Sequence, residues 1–87
     1  MTGARVTGRR IRRFIVRELL DEPFEGRDPL AAEACDSLAL EQLIDYIEEE
    51  FGVAFEDEEV VRENFSSIPT LVALVKRKQR ARRSIRA

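Results

Sequence analysis

The sequence predicts an all-α fold, a small four-helix bundle of three longer helices and one short helix. Three observations lead there. Apolar residues recur at helical spacing in three stretches, residues that start or stop helices flank those stretches, and a Pro- and Gly-containing segment separates the first stretch from the second. Eighty-seven residues make one domain, because a second would be too small to bury its own core. With Trp absent, that core has to come from Leu, Ile, Val and the five Phe.

The first helix is signalled by Ile11, Phe14, Ile15 and Leu19, which share one face, while Arg9, Arg10, Arg12, Arg13 and Arg17 occupy most of the rest. Pro23, Gly26 and Pro29 then make residues 21 to 36 a long loop, and long loops in compact domains usually have a task. Asp36 is a good N-cap for the second helix, whose stripe is Leu40, Leu43, Ile44, Ile47 and Phe51. Gly52 stands just beyond, where a left-handed cap favours glycine. A short helix is expected over Asp57 to Phe65, with acids in its first turn and Val60, Val61 and Phe65 buried. Ser67 as cap and Pro69 in the first turn open the last helix, with Ile68, Leu71, Val72 and Val75 facing inward.

Charge is unevenly distributed. Before residue 21 there are six Arg and one acid, Glu18; from Asp21 to Phe65 there are sixteen acids against Arg27 and Arg62; beyond residue 65 there are seven Lys or Arg and no acid. Basic ends thus flank an acidic middle. A single Cys precludes an internal disulfide; with no His and one Cys a structural zinc site is not expected, and every His-based triad is excluded. No apolar run suits a signal peptide or a membrane span, so a cytoplasmic protein is expected.

Within this frame the segment Ala34-Cys35-Asp36-Ser37-Leu38 carries the most chemistry. A hydroxyl at a helix start lies in the field of unpaired backbone N–H groups, which favours a phosphodiester there, and Asp36 can cap the helix while presenting that hydroxyl. Taken alone, the same residues merely start a helix. Cys35 has no His to activate it and reads as a small, partly buried residue rather than a nucleophile. Glu56 to Glu59 lack the spacing of a calcium loop, and no metal ligand or catalytic residue is assigned.

The context of that segment is more specific. Asp36-Ser37-Leu38 opens a helix ending Ile-Glu-Glu-Glu-Phe-Gly (Ile47 to Gly52), followed by the acidic Phe55-Glu-Asp-Glu-Glu turn and by Asn64-Phe-Ser-Ser-Ile before the last helix. This arrangement, over roughly residues 10 to 78, resembles the acyl carrier protein family, including its free-standing peptidyl-carrier relatives. The resemblance implies a bundle of acyl-carrier-protein type that is not itself an enzyme. Residues 10–78 would form the carrier domain, with 1–9 a basic N-terminal extension and 79–87 a basic C-terminal tail that frays from a solvated helix end. It implies 4′-phosphopantetheine attached covalently to Ser37 by a phosphopantetheinyl transferase, with Asp36 and Leu38 beside it. Cargo would be held as a thioester, as in fatty acid, polyketide or nonribosomal peptide biosynthesis. The partners implied are the transferase, an acyl- or aminoacyl-loading enzyme and a downstream synthase, met by a monomer through Glu41, Asp45, Glu48 and Glu49. An acyl pocket would involve Leu43, Ile47, Phe55, Val60, Ile68 and Leu71, residues that are first of all core.

The chain departs from the fatty-acid-synthesis pattern. Ala39 stands where an acid is frequent, Glu41 where an aliphatic residue is usual, Asp45 where Met or another apolar residue is common, and Tyr46 where a small residue is typical. Those departures point to a specialised pathway. The competing expectation is a helical interaction module binding nucleic acid or a protein through its basic ends. The tail lacks interleaved aromatic residues for base stacking, and nucleic acid is not the expected partner.

Overall fold

The structure is a computed structural model that describes residues 3–86, with side chains described as far as residue 81. Residues 1, 2 and 87, and the side chains beyond 81 in the expected basic tail, lie outside the described residues. Helix α1 spans Gly3–Phe14, α2 spans Ser37–Phe51 and α3 spans Ile68–Arg86; among the described residues there is no strand.

Helix α1 begins well before the apolar stripe that signals it, and packs chiefly along α3 with Thr7 and Ile11 buried. It runs on into one wider π-helical segment, Ile15–Leu19, closed by the Leu20 N–H donating to the Ile15 carbonyl at 3.1 Å. The wider turn keeps both Leu19 and Leu20 against the core rather than swinging one of them into water.

Helix α2 starts and stops where the residue chemistry requires. The Asp36 carboxylate accepts the Ala39 N–H at 2.8 Å, and Gly52 adopts φ 68°, a left-handed value at which a side chain would be strained. Ser67 caps α3, its hydroxyl oxygen accepting the Thr70 N–H at 3.2 Å. Leu43 and Ile47 from α2 meet Ile11, Ile15, Leu71 and Val75 in a closed centre where all six are fully buried. At ~25 cal/mol per Å² of apolar surface removed from water, this centre is what makes three modest helices one cooperative unit.

The expected short helix over Asp57–Phe65 is corrected by the structure. The segment forms two 3₁₀ turns, Asp57–Glu59 and Arg62–Phe65, with Val60 and Val61 between them in non-helical geometry. Glu56 and Glu59 cap each other's backbone N–H groups and so complete a single turn. The β-branched pair that follows is stiff and runs extended at Val61, φ −128° and ψ 156°. Val60 and Val61 are accordingly 46% and 40% exposed, not buried as the helical spacing suggested, whereas Phe65 is buried.

Candidate functional site

The long loop is organised by one side chain. One oxygen of Asp28 accepts the N–H groups of Leu30 and Ala31, each at 3.0 Å, starting a turn over residues 29–33. The other accepts the Ile68 N–H at 2.9 Å, at the very start of α3. Asp28 therefore fastens the loop to the last helix, and buried Pro29 and Leu30 anchor it from below. The loop leaves this anchor through Glu33, which holds φ 55°, and arrives at Asp36 with a fixed direction.

Ser37 is the first residue of α2 and is exposed, as is Asp36; Leu38 is 63% exposed. Asp36 satisfies the third N–H of the helix, while those of Ser37 and Leu38 have no acceptor among the described residues. The Ser37 hydroxyl likewise makes no bond among them. The result is a free hydroxyl at the positive end of a 15-residue helix dipole, where an attached phosphodiester is favoured. That donor set suits phosphopantetheine: one alcohol oxygen to esterify, with unused backbone donors beside it.

Beside Ser37 opens a cleft of about 500 Å³, running from Cys35 past Leu40 and Ile44 on α2 to Val60, Val61 and Phe65 on the 3₁₀ segment. Arg62 and Ser66 also line it. Of the residues expected to form an acyl pocket, Val60 lines this cleft, whereas Leu43, Ile47 and Leu71 lie fully buried in the core centre. Ile68 is buried and Phe55 half-buried, its ring packed 5.8 Å from that of Phe65. The missed residues had a signal. Leu40 and Ile44 lie one and two turns along α2 from Ser37, so counting from the hydroxyl finds them.

Cys35 is half-buried at the cleft wall, and burial, then the neighbouring Asp36 charge, push its thiol pKa up. A thiol held in its neutral form is a poor nucleophile, which agrees with its reading as a wall residue.

Among the four carboxylates expected to dock partners, Glu41, Asp45 and Glu49 are exposed along one stripe of α2 that begins at Leu38. Glu48 is on the same stripe, but one of its oxygens accepts the Phe55 N–H at 2.8 Å and holds the chain where it leaves α2. Behind the stripe, Tyr46 stacks on Phe14 with ring centroids 4.0 Å apart and planes within 8°. This contact explains a bulky residue at that position: it joins α1 to α2.

Comparison with protein families finds a match to the PP-binding family, described as a phosphopantetheine attachment site, over residues 10–77. No curated protein and no solved structure matches. The match spans most of the chain, including the loop, the α2 start and the cleft. The chain belongs to the phosphopantetheine-attachment family, that of the acyl and peptidyl carrier proteins, whose cofactor is a covalent 4′-phosphopantetheine on a serine.

Proposed function

We propose that Ser37 is the attachment serine and that the chain carries an acyl or aminoacyl/peptidyl group for partner enzymes in a specialised biosynthetic pathway. The observation that carries this reading is the exposed, unbonded Ser37 hydroxyl at the first position of α2, beside a cleft, in a chain of this family. On transfer from coenzyme A, the Ser37 oxygen bonds to the pantetheine-side phosphorus and adenosine 3′,5′-bisphosphate leaves. The hydroxyl proton passes to the transferase. The bound arm supplies a terminal thiol at which cargo is held as a thioester.

The remaining roles belong to the chain itself. Asp36 fixes the first turn and with it the direction of the Ser37 oxygen. Leu38, exposed at the head of the acidic stripe, offers an apolar contact, and Glu41, Asp45 and Glu49 steer a basic partner surface towards it. Steering of this kind raises encounter rates without tight binding, as a carrier that must leave again requires. The cleft walls Leu40, Ile44, Val60 and Val61 shelter the apolar part of the cargo, and the chain performs no catalysis. Among the described residues no helix is long and apolar enough to cross a membrane.

Intact-mass measurement after incubation with coenzyme A and a broad-specificity phosphopantetheinyl transferase tests the proposal. One added phosphopantetheine is expected on the parent chain and none on a folded Ser37→Ala variant. No addition to the folded parent with several transferases would remove the carrier reading.

A further inference from the structure

A groove larger than the Ser37 cleft lies elsewhere on the molecule. It runs between α1 and α3, measures about 840 Å³, and shares no lining residue with the Ser37 cleft. The two helices are antiparallel here. A methyl group on Gly8 would meet Ile68 and Val72, while one on Gly3 would meet Lys76, two turns further along α3. The floor is apolar, made by Ala4, Gly8, Ile68, Val72 and Ala73.

Its rims are cationic. Arg5, Arg9 and Arg12 line the α1 side, Lys76, Arg77 and Arg80 the α3 side, and Arg27 the loop end. The one acid in the lining is Asp28, whose oxygens are taken up by three backbone N–H groups. Among the described residues Arg5, Arg9, Lys76 and Arg80 form no ion pair, although the chain has sixteen acids between Asp21 and Phe65. Four cations without an ion pair therefore gather along this one groove.

We propose that this groove is a second docking site, filled by an acidic amphipathic helix of a partner protein. Between residues 68 and 80 of α3 the groove is about 18 Å long at 1.5 Å per residue, room for roughly three helical turns. A helix lying there places apolar residues, spaced i, i+3, i+4 and i+7, on the floor, with carboxylates facing both rims. A nucleic acid satisfies the rims but leaves the floor uncovered, and the groove has no aromatic residue on which bases stack. The exposed stripe of α2 from a second copy supplies the charge but just one apolar residue, Leu38. Occupied in this way, the carrier is held by one protein through its basic side while Ser37 and the acidic stripe remain open to another.

The test uses a fluorescent peptide of about four helical turns, with Leu at the spaced positions and Glu on both flanks, against a scrambled peptide of the same composition. Saturable binding is expected, with a gain of peptide helicity by circular dichroism and at least about tenfold weaker binding of the scrambled form. Arg9→Glu combined with Arg80→Glu, both exposed positions, should weaken binding at least about tenfold, and Arg9→Ala with Arg80→Ala by less. Ser37→Ala and Asp45→Lys should leave it unchanged, which separates this site from the carrier function. Absence of saturation up to about 1 mM peptide overturns the proposal. So does equal binding of the scrambled peptide, displacement by single-stranded DNA of matched charge at lower concentration, or sedimentation showing that the chain fills the groove with its own copies.

Discussion

Helix α2 and the α1–α3 pair are built on the same plan, an apolar stripe turned to one shared centre, yet their outer surfaces are opposites. The outer side of α2 presents Glu41, Asp45 and Glu49 in line with exposed Leu38, next to the exposed hydroxyl of Ser37. The α1–α3 side presents seven cations around an apolar groove whose lining, among the described residues, has no hydroxyl or thiol side chain. The two surfaces are joined where Arg10 pairs with Glu50 and lies 4.8 Å over the Phe51 ring, beside the Phe14–Tyr46 stack. The small net charge of −2 conceals two strongly and oppositely charged faces.

Breaking the join is the most damaging change to either face. Tyr46→Ala removes the stack on Phe14 and the edge contact to Phe51, 6.2 Å away, and should cost about 2–3 kcal/mol in denaturant unfolding. Tyr46→Phe should cost much less, since the ring carries the contact. Next in size is Asp28→Ala, which leaves three backbone N–H groups without their acceptor and frees the loop from α3. We expect a loss of about 1–2 kcal/mol, and faster proteolysis of residues 21–36 with α2 protected.

The two faces are separated most sharply by charge reversal. Asp45→Lys with Glu49→Lys should lower kcat/KM for phosphopantetheinyl transfer about tenfold at low salt, with the difference shrinking as salt rises. Arg5→Glu with Arg9→Glu on the opposite face should leave that rate unchanged.

The smallest expected effect is at Glu59, which bonds Lys78 at 2.6 Å and so ties the first 3₁₀ turn to α3. The Lys78 hydrogen bond first, and the Glu56 backbone second, hold the Glu59 carboxyl below its ordinary value of 4.5. A folded pKa lower than the unfolded one gives stability that is present above about pH 4.5 and lost as pH falls through the folded value. Glu59→Gln should therefore cost less than about 1 kcal/mol at neutral pH, and the gap to the parent should close in acid. Melting curves at pH 7 and at successively lower pH measure it.

Much of this was legible in the residues, and the exceptions share a cause. The caps Asp36, Gly52 and Ser67 act through neighbours three or four positions away, so local sequence specifies them. The start of α1 is not visible in the apolar pattern because Thr7 and Gly8 carry no apolar signal; what matters there is close approach to Ile68 and Val72, sixty residues on. Val60 and Val61 fit a helical stripe by spacing, but the capped Glu56–Glu59 turn ends before them and turns them towards the cleft. The family resemblance brought Ser37 forward, whereas the cleft beside it depends on how the 3₁₀ segment lies against α2. Glu48 looked like its neighbours on the stripe because its bond to Phe55 forms across a turn that periodicity does not describe.

Four serines, Ser37, Ser66, Ser67 and Ser84, offer a hydroxyl, and Ser66 lines the same cleft as Ser37. The most direct test of the central claim is therefore to locate the modification by fragment mass spectrometry of the transferase-treated chain. Phosphopantetheine is expected on the peptide containing Ser37, at that residue, with Ser66 and Ser67 unmodified. Phosphopantetheine on Ser66 or Ser67, or its retention in Ser37→Ala, would rule out Ser37 as the attachment residue.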